Sequence, residues 1–474
     1  MDGRASIPVA LPKDNPTRSY WQFEADAIAD LRSTAALPGE ADTVVVGSGI
    51  TGAAVAFGLL SDGARGVVMI EARQACSGAT GRNGGHTKAA SYLGFPHHRR
   101  EHGADMAARI ARLELANIRA VHAFAREHGI DCESNPCETT DVVYDAAQWA
   151  GAREAIDAMR AAMPDDDASA YTFHTAAEVR ERFYCGTGGS DRGVCGGISY
   201  EAGSLNAYKF TIGVLKLCLD RGLNLQTNTP VTGVSKNAEG RYLIDTPRGC
   251  ITARRVVMAT NGYTARLLKK FQGIIVPLRG HVTAQRPGLN MPKNGLPGTY
   301  SFFYEKGYDY MIQRPKGYKF ERDIIIGGRL TSAVSNGLNE YGTVDDSSQD
   351  EDTMQDLRNT LPWYFGDNWG DDNSDGRVHA EWTGIMGYSP DGLPFVGEVP
   401  GDKNLWVSAS FQGHGMVLCW MSARALVEMM QGRDDEALNQ WFPSVYRISE
   451  PRLELTFGGR LHVPGAGDPS SAGA

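Results

Sequence analysis

Residues 43–85 constrain this chain more than any other stretch. The apolar run Thr43-Val44-Val45-Val46 is followed at once by Gly47-Ser48-Gly49-Ile50-Thr51-Gly52. Small residues over Ile50–Leu60 predict a helix, and Val67–Ile70 predicts a second buried strand ending at Glu71. Strand, G-x-G-x-x-G, helix, strand and acid in that order make a βαβ unit suited to a dinucleotide. Gly47 makes the tight turn, and Gly49 lets backbone approach a pyrophosphate where Ile50 and Thr51 open the helix. Gly52 permits close helix–strand packing, and Glu71, leading into Ala72 and Arg73, accepts hydrogen bonds from the adenosine ribose.

A second glycine-rich stretch begins just past that acid: Ser77-Gly78-Ala79-Thr80-Gly81-Arg82-Asn83-Gly84-Gly85-His86. It wraps a longer cofactor than NAD, with Arg82 and backbone N–H groups available to phosphates or a flavin, so FAD is expected. Residues Thr43–Ser61 carry no charge and approach the length of a membrane span, but four glycines suit the turn and not a lipid-exposed helix. No membrane span is expected. The 474 residues hold 47 Lys and Arg against 56 Asp and Glu, a net charge of −9, which argues against a nucleic-acid binder. Eight cysteines include no C-x-x-C pair, so neither a metal site nor a disulfide framework is expected. Met1-Asp2-Gly3-Arg4 opens no secretory h-region, and a cytoplasmic protein is expected.

The organisation reads as α/β. Residues 1–40 form a polar surface arm; 41–100, 200–275 and 376–445 form a discontinuous Rossmann-like FAD-binding domain. Residues 101–199 and 276–375 form an interleaved, mainly antiparallel substrate domain, and 446–474 a tail that frays over its last dozen residues. Thr175-Ala-Ala-Glu178 predicts a capping box. A helix over Met416–Gln431 is expected, closed by Gly432.

These motifs resemble the flavin amine oxidases of the D-amino-acid-oxidase superfamily, γ-glutamylputrescine oxidoreductase, glycine oxidase and sarcosine oxidase among them. The resemblance continues through Ala259-Thr260-Asn261-Gly262, Pro277-Leu278-Arg279-Gly280, Trp382-Thr383-Gly384 and Ser389-Pro390-Asp391-Gly392-Leu393-Pro394 to Gly413-His414-Gly415-Met416. It implies FAD held by the residues above, with Arg73 near the adenine end or the phosphates. Thr80, Arg82, Asn83, Gly84 and Gly85 would run along the phosphates and flavin, and Val231 would meet the adenine. Asn261, Gly262 and Gly384 join this set, and Gly413 to Met416 would lie beside the flavin's pyrimidine edge. The implied chemistry is oxidation of the C–N bond of an amine or amino acid by hydride transfer to flavin N5. The imine then hydrolyses, and O2 or another acceptor takes the electrons. His86, Tyr310, Arg314, Trp382 and His414 are the catalytic and substrate candidates, with Arg314 either a carboxylate clamp or a solvated strand-end residue, and Trp382 either core packing, the preferred reading, or a pocket wall.

The sequence also departs from that family. No lysine stands at Asp323–Ile325, where sarcosine-oxidase-like members activate oxygen, so oxidase and dehydrogenase both stay open. Arg82 and Met386 lie near where a covalent flavin link would fall, which favours non-covalent FAD. Cys132 and Cys137 come too late in the chain for a flavin-linked redox pair, and His97-His98-Arg99-Arg100 reads as a solvated helix start. A non-catalytic flavoprotein that binds a metabolite or partner is the alternative.

Overall fold

The computed structural model describes residues 1–186, 193–305 and 307–461; the expected fraying beyond His462 lies outside them. The strand Glu40–Val46 pairs in parallel with Gly249–Met258 on one side and Val67–Ile70 on the other. Leu405–Ala409 and Asn224–Gln226 extend the parallel sheet outward, and Phe395–Glu398 closes one edge antiparallel. Val44, Val45, Val256 and Val257 are fully buried, as central strands covered on both faces require. The helix Ile50–Ser61 packs with Ala207–Asp220 and Cys419–Met430 in one core cluster. It packs closely because it carries small residues: a Cβ on Gly58 would lie 3.0 Å from Val427 Cγ2.

The second sheet is mainly antiparallel, in the order Val378–Tyr388, Val276–Gln285, Ile324–Gly327, Gly307–Gln313, Thr299–Tyr304, Asn135–Val143, Gly196–Ser204, His86–Thr87. Thr172–Thr175 pairs with Gly196–Ser204 off this path, and the Thr175–Glu178 capping box forms as expected. The expected domain segments differ from the sheets at three strands: His86–Thr87, placed in 41–100, pairs with Gly196–Ser204 in the antiparallel sheet. Val378–Tyr388, placed with the FAD-binding segment from 376, pairs along Val276–Gln285 in the antiparallel sheet. Gly196–Ser204 carries that sheet past residue 200. The alternating apolar pattern of these latter two strands fits either sheet, so only pairing decides.

The N-terminal arm runs largely over the surface but is sunk into the fold at Ser19–Trp21. Ser19, Tyr20 and Trp21 are 1%, 4% and 5% exposed. Trp21 Nε1 donates to Asn83 O (2.6 Å), Ser19 Oγ to Gly81 O (2.6 Å) and Tyr20 Oη to Asp323 Oδ2 (2.7 Å). Large rings with polar tips bury well when the tips find partners. The arm therefore fastens the second glycine stretch to the antiparallel sheet. The helix expected over Met416–Gln431 starts later, at Cys419, after a 3-10 turn over Gly415–Val417. Among the described residues no helix is long and apolar enough to cross a membrane.

Candidate active site

An elongated cavity runs from the βαβ unit to the antiparallel sheet. Its walls include Gly47, Gly49, Ile50, Thr51, Glu71, Ala72, Arg73, Gly78, Ala79 and Thr80, then Arg82, Asn83, Val231, Asn261 and Gly384, and finally Gly413, Gly415 and Met416. The glycines at its head are structurally required. Gly47 has φ +105, and a Cβ there would lie 2.5 Å from Ala259 O. A Cβ on Gly52 would lie 2.0 Å from Gly47 O, so Gly52 packs beneath the turn and does not line the cavity. Gly85 and Gly262 also serve packing: Cβ atoms there would meet Leu205 O at 2.5 Å and Met386 O at 2.4 Å. A glycine-rich head where a helix opens, with the Thr80 hydroxyl accepting from Ile50 N–H at 3.0 Å, fits a pyrophosphate.

Glu71 holds this head in shape. Its Oε2 accepts from Ser48 N (3.0 Å) and Ser48 Oγ (2.7 Å), and its Oε1 accepts from Arg73 N (3.1 Å). The arginines are held more firmly than the sequence suggested. Arg73 forms a bidentate pair with Asp346 (3.1 and 3.0 Å) on the acidic loop. Arg82 donates from Nε to Thr383 O (2.6 Å) and from Nη2 to Thr17 O and Oγ1, with Asp346 at 3.7 Å. Burial pulls the Arg82 guanidinium down to about 10, and the side chain braces the loop while still forming part of the wall.

A second chamber adjoins the first and shares Asn83, Tyr308, Tyr310, Tyr388, Gly413, Met416 and Arg460 with it. Gly84, His86, Lys88 and His414 open onto this chamber alone. His86 Nε2 bonds Thr299 Oγ1 at 2.7 Å. Burial, then the neighbouring Lys88 charge, drives both imidazoles below their ordinary range, His414 to about 4. Both are neutral at pH 7, so His414 adds no positive charge beside the first cavity. Lys88 Nζ is held by Asp141 Oδ1 (2.6 Å) and Ser301 Oγ (2.5 Å). Tyr92 and Tyr200 complete the Asp141 shell at 2.8 and 2.7 Å.

Two candidates leave the site. Arg314 lies 7% exposed and binds Glu133 bidentately (2.8 and 2.6 Å), Tyr20 Oη (3.0 Å) and Lys319 O (2.6 Å). It lines neither cavity, and its fork is already filled. Trp382 is fully buried, donates from Nε1 to Arg82 O (2.7 Å) and stacks on Tyr20. It supports the glycine loop from behind. Cys132 and Cys137 are free thiols that line neither cavity. Among the described residues no cluster of potential ligands could hold a metal ion.

The family model described as FAD dependent oxidoreductase, DAO, matches residues 42–429. This chain belongs to the DAO family of FAD-dependent oxidoreductases. The DAO enzyme is 25% identical over 405 residues to a probable oxidoreductase OrdL of Rhizobium meliloti, spanning 84% of this chain and 86% of that protein. It is 27% identical over 216 residues to a glycine oxidase of Pseudomonas aeruginosa, covering 45% and 51% of the two chains. The crystal structure of glycine oxidase from Geobacillus kaustophilus shares its fold, with TM-score 0.66, 19% identity, and 87% and 99% of the chains covered.

The enzyme's most suggestive residue, Arg460, carries no local sequence signal. Phe457 is fully buried among Ala5, Val276, Leu278, Tyr341 and Tyr388, and anchors the returning C-terminal segment. Gly459, at φ +127, then turns Arg460 into the seam between the cavities. Its charge is surrounded by Tyr388, Tyr308 and Tyr341, and its Nε has no hydrogen-bond partner. Among the described residues no carboxylate forms an ion pair with it, whereas Arg73, Arg82 and Arg314 each have one within 4 Å. Tyr308 and Tyr388 were missed as well, because single tyrosines carry no motif.

Proposed function

We propose that this enzyme oxidises the C–N bond of an amino acid, or of an amine carrying a carboxylate, where its two cavities meet. FAD would lie non-covalently along Gly47–Thr51, Glu71 and Gly78–Asn83. When bound, it supplies the hydride acceptor for the substrate's α-carbon hydrogen. The observation that carries the reading is Arg460, a half-buried cation whose Nε is shielded from solvent and unpartnered at the seam of the cavities. A desolvated guanidinium is costly to leave unpaired, and a substrate carboxylate matches its fork. Tyr308, Tyr310 and Tyr388 wall the same seam, exclude water and orient the substrate.

Non-covalent attachment is supported by the reactive side chains of the first cavity. His281 Nε2 is taken up by Asp350 N–H at 2.9 Å, and burial pushes the Cys419 thiol up to about 12. Neither His86 nor His414, both neutral at pH 7, competes with Arg460 for an anion. The test is anaerobic mixing of the FAD-loaded protein with a panel of amino acids and amines, following the flavin's visible band. Bleaching by a carboxylated amine is expected. A flavoprotein that binds FAD yet is bleached by none of them would be a non-catalytic binder instead.

A further inference from the structure

The second chamber extends away from the seam to Glu114, on the helix Ala104–Glu127. This carboxylate accepts from Ser91 Oγ, and among the described residues no lysine or arginine forms an ion pair with it. Phe95, Ala107, Ile110 and Ala111 supply an apolar wall around it. Lys88, the chamber's lysine, is already neutralised by Asp141. An enclosed carboxylate without a counter-charge is costly. Burial accordingly pushes Glu114 up to about 7. A carboxyl group with a purely structural role would be sealed against protein, whereas this one opens onto a chamber continuous with the Arg460 seam.

We propose that Glu114 is the recognition carboxylate for a second, cationic group on the substrate, a distal ammonium or guanidinium. The inference rests on the reading that substrate occupies this chamber. With Arg460 at the near end, it specifies a basic amino acid: carboxylate at the seam, apolar methylenes along the Ile110 wall, cation at Glu114. Among the lysine, arginine and carboxylate side chains of its described lining, Arg460 and Glu114 are the two without an ion-pair partner, and such a molecule satisfies both.

The test measures equilibrium binding of lysine and norleucine, both enantiomers of each, by anaerobic calorimetry on the FAD-loaded protein with its flavin reduced beforehand, so that no turnover occurs. The two differ by the distal ammonium. Lysine is expected to bind at least about tenfold more tightly, the span of one charge-assisted hydrogen bond. Glu114→Gln is expected to collapse that ratio, and Glu114→Asp to retain part of it. Equal binding of lysine and norleucine to the wild type overturns the proposal without needing any variant, as does a ratio unchanged in Glu114→Gln. Bleaching by norleucine with no lysine preference would sink this subsite and leave the proposed activity standing. Tight lysine binding with no bleaching by any amine would sink the activity and leave the subsite.

Discussion

The ring of Tyr310 stands directly over Gly84: a Cβ on Gly84 would lie 2.4 Å from Tyr310 Cε2. The contact joins the second glycine stretch to the strand Gly307–Gln313 and sets the width of the seam between the cavities. Glycine at 84 is therefore a condition for where Tyr310 sits.

Gly84→Ala is expected to displace Tyr310, at the roughly 1–3 kcal/mol that overpacking costs. Flavin content should stay near wild type while the anaerobic reduction rate falls about tenfold or more, since small misplacements of orienting groups are costly. Flavin content and stopped-flow reduction, measured together, check this; an unchanged reduction rate would show that Tyr310 does not orient substrate.

Glu71→Ala removes the acceptor of Ser48 N, Ser48 Oγ and Arg73 N, besides any ribose contact. Losing hydrogen bonds to a charged acceptor costs about 1.5–3 kcal/mol, so FAD affinity should fall roughly 10- to 150-fold. Titrating FAD into apoprotein measures it. Wild-type affinity in the variant would remove Glu71 from the cofactor site.

Arg314→Met removes the bidentate partner of buried Glu133 and leaves it only Lys209 and Asn206, each at 3.3 Å, so part of the roughly 3–5 kcal/mol cost of breaking a buried pair is expected. The melting temperature should drop while reduction of the remaining folded protein keeps its rate. Adding Glu133→Leu should recover much of the loss. A selective rise in KM for carboxylated substrates, without loss of stability, would restore Arg314 as a substrate clamp.

These residues also show what the sequence could convey. The turn at Gly47, the helix it opens and the acid at Glu71 are separated by short stretches of chain, so spacing alone encodes them. Arg314 depends on Glu133, 181 positions away, and nothing local marks which arginine a distant carboxylate will occupy. Trp382 and the arm's Tyr20 look like pocket or surface residues until the fold stacks them behind the glycine loop. Arg460 is set by a buried Phe457 and a positive-φ Gly459 in a segment that reads as tail. Strand alternation predicted the antiparallel sheet but did not fix which sheet Val378–Tyr388 would join.

Acid should destabilise the fold through its histidines. Burial lowers His122, His281 and His414 from 6.5 to about 4. A group whose folded pKa is depressed contributes stability above its unfolded value that is lost as pH falls through the folded one. His281 shows why: Nε2 accepts from Asp350 N–H at the start of the helix Glu351–Phe365, and protonation removes that acceptor. Glu114 opposes this trend, because its raised folded pKa costs stability as pH rises from 4.5 to about 7. With His86 and His174 lowered as well, five histidines against Glu114 and the likewise raised Asp309 leave a net loss on acidification from about pH 6.5 to 4. Denaturant midpoints across that range check it, with a shallower slope in His281→Gln; flat midpoints would contradict the assignment.

The most direct measurement compares anaerobic reduction of FAD-loaded wild type and Arg460→Met by an amino acid and by the corresponding amine lacking the carboxylate. The account predicts that the wild type is reduced by the amino acid in preference to the amine. The variant should lose that preference by about 10- to 150-fold in kcat/KM, the worth of a charge-assisted contact. An Arg460→Met protein that binds FAD and keeps the full preference would contradict it.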